Sequence, residues 1–118
     1  MSTLAGAPVV AGVDGSTHEQ LVIDWAISEA RLRNRTLLLL HAYDWAVLGA
    51  SFTDPPYGAV QQVYHDDAAS IRDHALAAAR TAAPDLEVSA RVVDGGAAGV
   101  LVGASQSAAA VVVGHRGR

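Results

Sequence analysis

Two short stretches at opposite ends of the chain hold residues that could do chemistry together. The first is Asp14-Gly15-Ser16, which follows the apolar run PVVAGV at positions 8–13. The second is Gly114-His115-Arg116-Gly117-Arg118, which follows AAAVVV at 108–113. A carboxylate at a strand end can accept hydrogen bonds from ribose hydroxyls; it can equally be a turn or cap residue. Two glycines bracketing two bulky residues let backbone amides approach phosphate oxygens closely. Arg116 and Arg118 would add charge-assisted donors. The plainer alternative is a glycine turn followed by a basic tail, and G-x-x-G alone does not decide between them.

These stretches matter only if the fold brings them together. PVVAGV reads as a short buried strand, continuous and β-branched. Ser16 and Glu19, three apart, fit a capping box that opens a helix over 17–33. Val22, Trp25, Ala26, Glu29 and Ala30 sit at helical spacing, and four of these five can face a core. Asn34 is the expected stop. TLLLLHAYDW, 36–45, is a second strand, and its unalternating leucines argue for burial on both faces. DPPYG at 54–58 marks a loop. A second helix is expected over 60–83, with Ala68, Ile71, Ala75, Ala78 and Ala82 on one stripe, ending before Pro84. LEVSARVV, 86–93, is a third strand. DGGAAG leads into a third helix over 97–107, and AAVVV, 109–113, is a fourth strand.

The alternation of strands and helices predicts an α/β fold, a doubly wound parallel sheet with helices on both faces. In such sheets ligands bind beyond the carboxyl ends of the strands, where strand order reverses. The residues to weigh are therefore those after each strand: Asp14–Ser16, Ala42–Asp44, Asp94–Gly96 and Gly114–Arg118.

The remaining candidates have structural explanations. His41 reads as a half-buried strand histidine hydrogen-bonded to a neighbour. His18, His65, His74 and His115 are scattered without metal-ligand spacing. His65-Asp66-Asp67 sits near a helix start, where the dipole favours acidic residues. Trp25 reads as core packing. Tyr43 and Trp45 could lid an adenine, with surface packing as the alternative. Gly103-Ala104-Ser105-Gln106 is not a nucleophile elbow, and Ser105 falls within an expected helix. No nucleophile, base and orienting acid come together, so the sequence reads as a binding module rather than an enzyme, with slow ATP hydrolysis left open.

Composition narrows the classes further. The 118 residues fit one domain. With 51% hydrophobic and 17% charged residues the chain is too apolar for disorder. Its apolar runs are too short to span a bilayer. There is no cysteine, hence no disulfide and no thiolate metal site. All eight basic residues are arginine, so lysine chemistry is excluded. A net charge of −4 offers no footprint for nucleic acid. MSTLAGAP carries no basic signal region, which fits a cytoplasmic location.

PVVAGVDGS, TLLLLHAYDW and AAVVVGHRGR, in this order and spacing, resemble the universal stress protein family over essentially the whole chain. The resemblance implies a sheet in the order 3-2-1-4-5, Rossmann-like and akin to adenine nucleotide α-hydrolases. It implies ATP, carried with Mg2+, or another adenine nucleotide as ligand. Residue by residue, Asp14 is similar to the family's ribose- or adenine-contacting aspartate, with Gly12 and Val13 beside it. Ala42 is similar to the position whose backbone meets the adenine. Val113 and Gly114 resemble the start of the phosphate and ribose loop, which His115 and Arg116 continue to its second glycine, Gly117.

The family's binders continue with nine residues and then a glycine followed by serine or threonine, a pattern for which this sequence has no positions. The expectation is therefore a domain cut within its nucleotide loop, lacking the fifth strand, with order 3-2-1-4. The fourth strand then becomes a flat apolar edge with neither proline nor charge, expected to pair with another copy as a homodimer or to lower solubility.

Three functions compete. The leading one is a nucleotide-binding module of stress response or signalling. The second is a dimerisation or interaction domain of the same fold without ligand. The third is an ATP-pyrophosphatase-type enzyme, for which Gly12-Val13-Asp14-Gly15-Ser16 shares only the aspartate and serine of the expected glycine-rich loop.

Overall fold

A computed structural model describes residues 6–43 and 57–114, with residues 57–62 and 64 described by their helical backbone alone. The elements run β1 (Val9–Gly12), α1 (Glu19–Arg33), β2 (Leu37–Tyr43), α2 (Tyr57–Ala82), β3 (Val88–Asp94), α3 (Ala97–Ser105) and β4 (Ala110–Val112). Strand order is β3-β2-β1-β4, all neighbours parallel. This is the expected α/β sheet in the expected order. Two connections step outward from β1 and the third steps back across it. With right-handed crossovers, α1 and α2 must share one face and α3 take the other. The packing agrees: α1 and α2 touch each other, while α3 contacts β1, β2 and β4.

The core lies under α1 and α2. Val9, Ala11 and Val13 from the first strand and its exit, Leu37 and Leu39 from β2, and Val88 from β3 meet Ile23, Ala26, Ile27 and Ala30 of α1. Alternate side chains of a strand point to opposite faces, which explains this selection. Leu40 is also buried, so the leucine run is covered on both sides as its lack of alternation predicts. On α2 the buried stripe is Ala68, Ala75 and Ala79, continued by Ala83 just past the helix end. Ala82, expected on that stripe, is exposed, and Ala79 and Ala83 take the line instead.

Three local expectations need correction. Trp25 is 67% exposed and does not pack in the core. Ile23 and Ile27 fill the positions beside Val22, Ala26 and Ala30, which turns Trp25 outward. Neither of the two expected capping-box bonds forms between Ser16 and Glu19. Residues 16–18 make a turn of their own, so the helix begins at Glu19, with His18 as a cap residue that gives no side-chain bond. Glu19 reaches back as the motif predicts, but to a different amide, described below. Finally, α2 begins at Tyr57, three residues before the expected start. At the far end of α1 the expected stop holds: Asn34 is left-handed at φ 56, and its amide donates to the last carbonyls of the helix.

Candidate functional site

The carboxyl ends of β1 and β4 lie side by side, because Ala11 pairs with Val112 in the parallel register. From β1 the chain leaves into α1 on one face; into β4 it arrives from α3 on the other. The gap between these helices opens a crevice of about 650 Å³ beyond the strand ends. Its lining includes Gly12, Val13, Asp14, Ala42, Val113 and Gly114, so these six residues face one space although a hundred residues of chain separate the two stretches. His115, Arg116 and Gly117 lie outside the described residues, as does Trp45.

Two glycines hold the strand ends close to the flanking helices. A Cβ on Gly12 would stand 3.1 Å from Leu101 Cδ1, on α3. A Cβ on Gly114 would stand 2.8 Å from Val22 Cγ2, on α1. The glycines thus set how near each helix comes to the sheet. A third, Gly15, has φ +76, a left-handed conformation that side chains disfavour.

The turn from β1 into α1 is tied down by its own side chains. Asp14 Oδ1 accepts from the Ser16 amide at 2.9 Å. Ser16 Oγ accepts from the His18 amide at 3.3 Å. Glu19 Oε1 accepts from the Gly15 amide at 2.9 Å. Asp14 is therefore a turn residue and a crevice residue at once; the two sequence alternatives are not exclusive. Glu19 is 8% exposed and is the buried charged residue among those described.

β2 contributes one more tie. His41 Nδ1 lies 2.9 Å from the Val13 carbonyl oxygen. A carbonyl only accepts, so Nδ1 donates. Together with the Val13 amide, which donates to Leu40 O at 2.9 Å, this fixes the residue preceding Asp14 from both sides. His41 is the half-buried, hydrogen-bonded strand histidine that its position predicts. Tyr43 is not a lid: it is buried on the α2 face, its ring centroid 5.1 Å from that of His65.

Several lining residues were not singled out from sequence: Thr17, Glu19 and Val22 of the first turn, and Ala97, Val100 and Leu101 of α3. The signal available was topological. A crevice between β1 and β4 must be walled by the helix that leaves one and the helix that enters the other. Among the described lining residues the charged groups are the carboxylates of Asp14 and Glu19. No set of three or more His, Cys, Asp or Glu among the described residues could hold a metal ion. A clear electrostatic perturbation lies away from the crevice. A hydrogen bond from Arg31, at 2.7 Å, holds the exposed Asp85 carboxyl below its ordinary range, at the amino end of the sheet.

The universal stress protein family model matches residues 7–118. Two curated universal stress proteins, from two strains of Mycobacterium tuberculosis, are each 35% identical over 113 residues, which takes in 95% of this chain and 36% of theirs. The chain thus spans about a third of the length of the curated relatives it matches. A solved universal stress protein from Archaeoglobus fulgidus superposes with a TM-score of 0.70 at 23% identity, over 95% of this chain and 78% of that one. A structure of the universal stress protein from the same organism in complex with dAMP gives 0.69 at 23% identity, over 93% and 82%. A universal stress protein in complex with cAMP gives 0.58 at 22% identity, over 86% and 65%. At these identities the solved structures establish the fold.

Proposed function

The chain belongs to the universal stress protein family, and we propose that its crevice binds ATP or another adenine nucleotide in a stress or signalling role. The observation that carries this is the single crevice, about 650 Å³, lined by both Asp14 and Gly114. That volume suits a nucleotide-sized ligand. In this reading Asp14 receives the ribose or adenine, with Gly12 and Val13 beside it. The backbone at Ala42 meets the adenine. Val113 and Gly114 begin the phosphate and ribose loop, to which the family resemblance also assigns His115, Arg116 and Gly117. The dAMP and cAMP complexes of structural relatives support an adenine ligand. Magnesium would arrive with the phosphates, since no described residue group offers a metal site of its own. The role is binding, not catalysis.

Titration calorimetry and thermal shift with ATP and AMP, with and without magnesium, test this reading. Binding is expected, and Asp14→Ala should abolish it. No heat and no shift at millimolar nucleotide would overturn it.

A second reading is favoured by a separate observation. From Gly95 to Gly114 there is no charged residue, and this stretch forms α3 and the edge strand β4. An uncharged edge on an acidic chain is where two copies meet with least repulsion. In that reading the 118-residue chain is a dimerisation domain of the same fold, indifferent to nucleotide.

A further inference from the structure

We infer that Glu19 sets the charge selectivity of the crevice, keeping phosphate away from the first turn of α1 and leaving that end to the uncharged part of the ligand. The inference rests on the adenine-nucleotide reading above and goes beyond it by naming a residue, Glu19, whose charge bars phosphate from this end of the crevice.

A helix N-terminus following a parallel strand is ordinarily an anion site, because its amides point outward and the dipole favours negative charge. Here three amides of the turn that leads into α1 are already engaged. The Gly15 amide donates to Glu19, the Ser16 amide to Asp14, and the His18 amide to Ser16 Oγ. Two of the three acceptors are carboxylates. Glu19 is the less replaceable of the two: it is more than nine-tenths buried, it walls the crevice, and its acceptor lies against a glycine held at φ +76. Asp14 is exposed. A phosphate at this turn would have to displace a buried carboxylate from its amide and then lie beside its charge. A sugar hydroxyl or a base amine meets no such repulsion, since both can donate to carboxylate oxygens. The turn is therefore an anion site filled by the chain itself.

Glu19→Gln separates charge from shape. The amide oxygen of glutamine still accepts from Gly15, so the turn keeps its bond while the crevice loses one negative charge. The test measures adenosine and ATP affinities of both proteins in magnesium-free buffer at low salt. The ratio of ATP to adenosine affinity should rise roughly three- to tenfold in the variant, as one charge several ångströms from the phosphates implies, and the rise should shrink as salt is added. A purely structural role would weaken both ligands together and leave the ratio unmoved, which would overturn the inference. If the native chain binds neither ligand, the nucleotide reading falls and this inference with it. If native binding is intact and only the ratio fails to move, the inference alone falls. A second arm uses the native chain and so does not depend on the variant folding. In amide-resolved NMR, adenosine should shift Gly15, Ser16 and Thr17, whereas inorganic pyrophosphate should leave them in place. Pyrophosphate shifts at these three amides would overturn the inference.

Discussion

Gly114 and Val22 touch across the crevice floor: a Cβ on the glycine would stand 2.8 Å from Cγ2 of the valine. The contact joins the end of β4 to the first turns of α1, and so joins the two stretches that sequence singles out. Gly114→Ala should therefore destabilise the fold by about 1–3 kcal/mol, the usual cost of overpacking. Val22→Ala opens the space the new methyl needs. In that background Gly114→Ala should cost less than about 0.5 kcal/mol, a coupling of the size seen between touching residues. Urea unfolding of the four proteins of this cycle measures it. Additive costs would show that the close approach is not real.

Gly15 carries a second steric demand. Its φ is +76, and a Cβ there would lie 3.1 Å from Ile71 Cγ1 on α2. Gly15→Ala should cost about 1–2 kcal/mol from the left-handed conformation alone. Ile71→Ala should not relieve that part, because the cost lies in the backbone. Melting curves of the single and double variants distinguish this site from Gly114, where a partner substitution does give relief.

α1 has two apolar faces and only one of them is packed. Ile23 and Ile27 are buried, whereas Leu21, Trp25 and Leu32 are exposed on the opposite side. Ile23→Ala or Ile27→Ala should cost about 2–5 kcal/mol. Gln at Leu21, Trp25 or Leu32 should change the stability of the monomer by less than about 0.5 kcal/mol. Chemical denaturation at low protein concentration checks both. A large loss from Trp25→Gln would restore the core role that its spacing suggests.

Among the described strands β4 is the sheet edge opposite β3, and Val113 just beyond it is 57% exposed. The 118-residue chain should self-associate through this edge. Sedimentation velocity should show a concentration-dependent dimer, and Val113→Lys should shift it toward monomer by placing like charges across the contact. A native chain that stays monomeric at high concentration would contradict this.

Most of the architecture was legible in the order and texture of the apolar runs. Four consecutive leucines cannot alternate, so they announced a strand buried on both sides, and Leu39 and Leu40 are buried. Asn34 ended α1 because few other residues tolerate left-handed backbone. The juxtaposition of Asp14 and Gly114 followed from topology, since parallel strands place their carboxyl ends together. What escaped was detail that depends on rotation and turn geometry. The rotation of α1 is not legible because Trp25 and Ile23 are both apolar, and periodicity alone does not rank them. The capping box failed because the turn at 16–18 moved the helix start. Glu19 is legible as a motif residue, but its burial depends on how α1 meets the sheet, which local sequence does not record.

The short β4 strand has a consequence for how the molecule breathes. Only three residues, Ala110–Val112, pair with β1, and none of them is fully buried. The trio β3-β2-β1 has longer ladders and a richer interior. Opening free energies vary within one fold and are lowest where burial is least, so β4 should peel away while the other three strands persist. Occupancy of the crevice would then act as a latch: amide protons at 110–112 should exchange quickly in the empty protein and slow when ligand is added, while those of β2 barely respond.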